Sequence, residues 1–159
     1  MENNKELIKK WGENTAYAAK CHFKMSDFNR YWIYTLVLVN VVFAIFSLLE
    51  FGDQYQVFTK VFSIASLIAS ILILVHESQV SNRTTLTHKE VGEAYLAIHY
   101  DLEKLFFQSQ VNNKEVENQK EKIKELNQKP KPSVSFIAKR WAEKAIEKKG
   151  EMHKWWKDE

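Results

Sequence analysis

Residues 31–49 read YWIYTLVLVNVVFAIFSLL and residues 57–75 read VFTKVFSIASLIASILILV. A helix rising about 1.5 Å per residue needs roughly twenty apolar residues to cross about 30 Å of hydrocarbon. Both runs reach that length. The first carries no charged side chain, and the second carries only Lys60. Between them lie Glu50-Phe51-Gly52-Asp53-Gln54-Tyr55-Gln56, which leaves room only for an antiparallel turn, with Gly52 and Asp53 supplying the turn chemistry. The reading is a two-pass membrane hairpin. The alternative is a soluble helical bundle with the hairpin buried, but a soluble core of this size has no use for two such uninterrupted apolar stretches.

The rest of the chain is built differently. With 159 residues there is room for one domain, and the mean hydropathy of −0.38 places the apolar residues in the hairpin and leaves the remainder very polar. Four glycines and two prolines are few, and Lys, Glu, Leu and Ala are plentiful, so the composition favours helices. Cys21 is alone, which excludes a disulfide framework or a cysteine metal site within one chain. A polar amphipathic segment of about thirty residues precedes the first apolar run, which is not how a cleaved signal peptide is arranged. That segment carries Lys5, Lys9, Lys10, Lys20, Lys24 and Arg30, the 50–56 link carries no Lys or Arg, and Arg83 and Lys89 follow the second run. The positive-inside bias then puts both termini in the cytoplasm, with Lys60 snorkelling to the outer interface beside Tyr55.

Read in order, 1–30 is a cytoplasmic amphipathic helix, with Leu7, Trp11, Ala18, His22 and Met25 at helical spacing and a break or bend near Ser26-Asp27-Phe28-Asn29. Arg30, Tyr31, Trp32 and Tyr34 form an interfacial belt. After Val75 nothing stops the second membrane helix, and 76–128 reads as a cytoplasmic helix. Its Val91, Ala94, Tyr95, Ile98, Leu102, Leu105 and Phe106 form a packing stripe, and 111–128 is an exposed extension or a partly disordered connector. Pro130 and Pro132 interrupt the pattern. Ser133 then caps a last helix, 133–159, whose apolar face is Val134, Ile137, Ala138, Trp141, Ala145 and Ile146; Gly150 ends it, and Met152, Trp155 and Trp156 dock the tail on the bundle or on the membrane interface. The expected fold is all-α: one domain over 1–159, with membrane helices 31–49 and 57–75, an amphipathic N-terminal helix and long cytoplasmic C-terminal helices.

The hairpin faces hold the candidate site. Asn40, Ala44 and Ser47 share one face of the first helix; Thr59, Ser63, Ser66 and Ser70 share one face of the second. Small and hydroxylated residues let helices approach closely and exchange hydrogen bonds where water is absent. Such a face is a packing seam between the two helices, or it lines a water-filled path among several hairpins. Asn40 is the most telling residue, because an amide at mid-membrane must find a partner, in its own hairpin or across an oligomer interface.

Catalytic chemistry is not expected. Glu77, His88 and His99 recur at eleven residues, too far apart along one helix to meet on a metal. Zinc-protease, phosphate-loop, dinucleotide and nucleophile-elbow motifs are all missing from the sequence. No cofactor and no specific nucleic-acid binding are expected. Residues 114–159 hold thirteen Lys/Arg against nine Asp/Glu, interspersed as on a solvated face; the alternatives there are contact with anionic lipid headgroups or with an anionic ligand.

The basic amphipathic start, the paired membrane helices on a tiny turn, Gly92-Glu93-Ala94-Tyr95-Leu96, and the run from Pro130 through Ser133 to Ala138, Lys139-Arg140-Trp141-Ala142 together resemble the SLATT family. These are two-transmembrane effector domains found beside nucleotidyltransferase and SLOG-type sensor genes in bacterial defence islands. The resemblance implies an antiviral effector that oligomerises and permeabilises the inner membrane in abortive infection, triggered by a nucleotide second messenger or by a sensor partner. It assigns no ligand-binding residue. A membrane anchor or scaffold that forms no pore, its cytoplasmic helices holding a partner protein, accounts for the same stripes.

Overall fold

A computed structural model describes residues 2–48, 56–81, 87–109 and 111–157. The turn at Gly52-Asp53, Tyr55 and Arg83 lie outside the described residues. Among the described residues the fold is all-helical: α1 (Glu2–Leu48), α2 (Gln56–Ser81), α3 (His88–Phe106), α4 (Asn113–Gln128), α5 (Phe136–Glu147) and a short 3-10 turn, Trp155–Lys157. The chain divides into two compact units, one of residues 1–27 with 85–159 and the other of residues 28–84.

The first unit packs the N-terminal part of α1 against α3, α4, α5 and the tail. Its core joins Ile8, Ala16 and Ala19 of α1 to Val91, Tyr95, Ile98, Leu102, Leu105 and Phe106 of α3, with Val116, Leu126, Ile146, Trp155 and Trp156. The α1 stripe differs from the expected one. Leu7 is exposed, and the buried positions are Ile8, Gly12, Thr15, Ala16, Ala19 and His22. Close approach decides this face rather than hydrophobicity: a Cβ on Gly12 would overlap the indole of Trp155, and one on Gly92 would stand 2.8 Å from the Phe23 ring. Helix α1 also runs through Ser26–Asn29 without interruption, so the expected break is absent. None of these four residues is a glycine or proline, and nothing else there breaks the backbone ladder.

Three further boundaries differ. The stretch 76–128 is not one helix. α3 starts afresh behind a capping box, the Thr87 hydroxyl accepting from the Glu90 amide while Glu90 accepts from the Thr87 amide. Residues 113–128 are neither an exposed extension nor a disordered connector. Asn112 caps α4, which lies along α3 and buries Val116, Gln119 and Leu126. The stripe escapes hydropathy because one of its positions is a glutamine, whose amide reaches Asp101 at 3.3 Å. In α5 the cap is Ser135, not Ser133, and the helix ends at Glu147. Its buried face is Ala138, Ala142, Ala145 and Ile146, so Ile137 and Trp141 stand on the exposed side. Gly150, at φ 63, then turns the chain, and the tail seats Trp155 and Trp156 in the core.

Two features of the sequence meet in this unit. Tyr95 donates to the Asn127 side-chain oxygen at 2.6 Å, and Lys131, between the two prolines, donates to the Tyr95 hydroxyl at 2.7 Å. The Pro-Lys-Pro segment is thereby tied to α3 and to the end of α4.

Candidate functional site: the polar seam of the hairpin

The second unit is α1 from Phe28 onward and α2. In α1 beyond Arg30 the less exposed positions are Ile33, Leu36, Asn40, Phe43, Ala44 and Ser47; in α2 they are Thr59, Phe62, Ala65, Ser66, Ala69, Ser70, Ile73 and His76. The series 33, 36, 40, 43, 47 and 59, 62, 66, 69, 73, 76 alternate steps of three and four. That is the spacing of two helices packed knobs into holes along one seam.

Asn40 is the centre of the seam. Its side-chain N–H donates to Ser70 Oγ at 3.0 Å, and its carbonyl oxygen accepts from Ser66 Oγ at 2.7 Å. Ser70 passes its own proton back to the Ser66 carbonyl at 2.9 Å. The amide therefore finds its partners inside the hairpin, one of the two places the sequence left open. Three further hydroxyls turn inward on their own helices. Ser47 donates to the Ala44 carbonyl at 2.7 Å, Ser63 to the Thr59 carbonyl at 2.9 Å and Thr35 to the Tyr31 carbonyl at 2.9 Å. In hydrocarbon each such bond removes the cost of a bare hydroxyl.

Of the seven candidate residues, the structure brings Asn40, Ser66 and Ser70 into one network. Ala44, Ser47 and Thr59 line the same side half-buried, and Ser63 is exposed. Sequence reasoning passed over an aromatic clasp beside them. Phe62 of α2 sits between Phe43 and Phe46 of α1, with ring centroids 5.8 and 5.3 Å apart. The signal was present in the three-and-four spacing of Phe43 with Asn40 and Ser47 and of Phe62 with Thr59 and Ser66. Attention to small residues alone hid it.

Outside the seam the hairpin is an apolar belt. Leu38, Val41 and Ile45 of α1 and Val57, Ile64, Leu67, Ile71 and Leu74 of α2 are among the large side chains left exposed. In the most apolar stretch of each helix 0% and 6% of residues are buried. An exposed apolar surface of this kind marks a face that meets lipid or a partner. Two helices are long and apolar enough to cross a membrane.

His22 and His99 are buried in the first unit. His99 is held between the Gly12 carbonyl, 3.0 Å from Nδ1, and the Trp155 indole N–H, 3.1 Å from Nε2. Nδ1 must donate and Nε2 must accept, so the ring is neutral, and burial pushes its pKa down. His88 faces His22, Nδ1 to Nδ1 at 3.0 Å; burial, with His88 and Lys131 nearby, lowers His22 to about 4. Among the described residues no group of three His, Cys, Asp or Glu side chains converges as a metal site.

The sequence pattern of SMODS and SLOG-associating 2TM effector domain 6 matches residues 1–140. The chain belongs to the SLATT family. It is thus a two-transmembrane effector domain of defence systems, a family not known for enzymes, and the family name itself records an association with SMODS and SLOG partners. No curated protein and no solved structure matches the chain. The match ends before Trp155 and Trp156, so part of the core of the first unit is supplied by a segment outside it.

Proposed function

We propose that this SLATT protein is the membrane effector of a bacterial antiviral system and that its hairpins assemble in the inner membrane and permeabilise it. Both termini are cytoplasmic, and the trigger is a nucleotide second messenger or a sensor partner of the nucleotidyltransferase-linked kind. The observation that carries the reading is the Asn40–Ser66–Ser70 network inside an otherwise apolar hairpin. An anchor needs only apolar helices, whereas a buried amide and two hydroxyls provide polar groups for a water-filled path when the helices part. A single hairpin encloses nothing, so several subunits must contribute.

The seam also favours a second reading. Because Asn40, Ser66 and Ser70 bond one another, the same residues serve a permanently closed hairpin that anchors a scaffold. Growth and leakage separate the two. Under the pore reading, induced expression with the activating system arrests growth, and purified protein in liposomes releases an entrapped dye when the activator is added. Intact liposomes and unaffected growth under every activating condition would overturn it in favour of the anchor.

A further inference from the structure

Helix α5 buries only alanines and Ile146, and everything bulky on it faces outward. Phe136, Ile137 and Trp141 are 70%, 47% and 44% exposed. Together with Arg140, Lys144, Lys148 and the carboxylates of Glu143 and Glu147 they line an open surface groove of about 580 Å³. Phe136, Arg140, Lys144 and Lys148 follow at intervals of four, so the cations form a ridge beside the apolar side chains, and the Arg140 guanidinium lies 5.5 Å over the Phe136 ring. Across 136–149, Lys139, Arg140, Lys144, Lys148 and Lys149 face Glu143 and Glu147, five positive charges against two, a net of three. One of those carboxylates is already engaged. Glu147 takes Lys154 at 2.7 Å, Lys157 at 3.3 Å and the Tyr17 hydroxyl at 2.5 Å, which hold its pKa down to about 2.

We infer that the outer face of α5 is a docking surface for an anionic lipid leaflet, with Phe136, Ile137 and Trp141 entering the headgroup boundary and Arg140, Lys144 and Lys148 meeting lipid phosphates. The charge ridge decides for lipid over a protein partner. A face that is both aromatic and strongly cationic is the composition of interfacial helices, whereas protein interfaces are depleted in lysine. The chain supplies the proximity, because the first unit is covalently joined to the hairpin at residues 27–28 and 84–85, which raises the effective concentration of α5 at the leaflet. The inference rests on the hairpin spanning the bilayer, and not on pore formation.

The test uses the full chain with Cys21→Ala and Ile137→Cys, labelled with an environment-sensitive dye and reconstituted in phosphatidylcholine vesicles with or without phosphatidylglycerol. In the anionic vesicles the dye should blue-shift and be shielded from an aqueous quencher, and in neutral vesicles it should stay in water. Arg140→Glu, Lys144→Glu and Lys148→Glu, whose side chains are exposed, should abolish the shift, each basic residue being worth about fivefold in partitioning. High salt should weaken it. A dye equally wet in both vesicles overturns the inference. So does shielding that ignores lipid charge and charge reversal, which would point to a second copy or a protein partner. A second label at Leu67→Cys must report hydrocarbon in both vesicles. If it does not, the spanning hairpin has failed rather than the docking face.

Discussion

Replacing Asn40 with Leu separates hairpin stability from subunit assembly. The substitution removes the bond to Ser70 and the bond from Ser66. Inside a bilayer such interhelical bonds average about 0.6 kcal/mol and reach about 1.7. The two together therefore hold the helices by about 1–2 kcal/mol. Three terms leave that figure nearly intact. Ser70 keeps its acceptor, the Ser66 carbonyl. Ser66, freed, can bond back along its own helix as Ser63 does with the Thr59 carbonyl, which caps the penalty. Leu branches as Asn does, and its bulkier methyl groups leave no cavity. The better membrane transfer of Leu acts equally on paired and parted helices and cancels. The ratio of closed to parted hairpins should thus fall about five- to thirtyfold, with insertion unimpaired. Spin labels at Val39→Cys and Leu67→Cys, both exposed positions, in a Cys21→Ala background report this as a broadened distance distribution in nanodiscs. A Ser66→Ala, Ser70→Ala protein should show the same broadening, and Asn40→Leu should add nothing to it. An unchanged distribution accompanied by a smaller oligomer would refute the reasoning, because Asn40 would then be bonding to another subunit.

Gly12→Ala gains about 1 kcal/mol of helix propensity but pushes a methyl into buried Trp155, for an overpacking cost of about 1–3 kcal/mol, and strains the indole bond to His99, about 1 kcal/mol more. The thermal midpoint should fall in the native background, whereas in a Trp155→Leu background, itself less stable, Gly12→Ala should lower it no further. Acid should loosen the first unit. His22, His88 and His99 are all shifted down, so the folded state favours neutral rings; their stabilisation is complete above about pH 6.5 and is lost as pH falls from there toward the lowered values, about 4 for His22. Thermal melts between neutral and mildly acid pH should show this slope, and His22→Gln should flatten it. In the hairpin, Ser63→Leu should leave the distance distribution unchanged, since Ser63 is exposed and bonded only to its own helix, whereas Ser66→Leu or Ser70→Leu should widen it.

What could be read from the chain alone depended on the solvent of each segment. In hydrocarbon the rules are few, and nineteen apolar residues, twice, with one asparagine, pointed to the hairpin and to its polar centre. In the first unit the decisive residues are those that hydropathy undervalues. Gly12, Ala16 and Ala19 make the buried face of α1 because they are small, while Leu7 is left outside. Gln119 occupies a stripe position in α4 that a count of apolar residues skips. In α5 the alanines go in while Ile137 and Trp141 stay out, the reverse of their hydrophobicity. At Gly12 the close approach of the Trp155 ring outweighs the transfer energy of a single large side chain, and that geometry appears only when the partner elements are in place.

The closed seam also limits how this hairpin could conduct. With Asn40, Ser66 and Ser70 bonded to one another, the surface offered to a second hairpin is mainly apolar, and a lumen enclosed by it would dewet. Under the pore reading, activation must part α1 from α2 so that the three polar side chains exchange each other for water. The hydrogen bonds oppose that by about 1–2 kcal/mol, and the Phe43–Phe62–Phe46 clasp adds about 0.5–1.5 kcal/mol for each ring pair. The sum is about 2–5 kcal/mol, which starts inside the usual range of coupling energies of about 1–3 kcal/mol and extends above it. A seam of this strength stays shut in the absence of a signal and lies within reach of one. Weakening it at Asn40 should therefore lower the activator concentration needed for leakage, whereas in a permanent anchor the same change would alter hairpin spacing and nothing downstream.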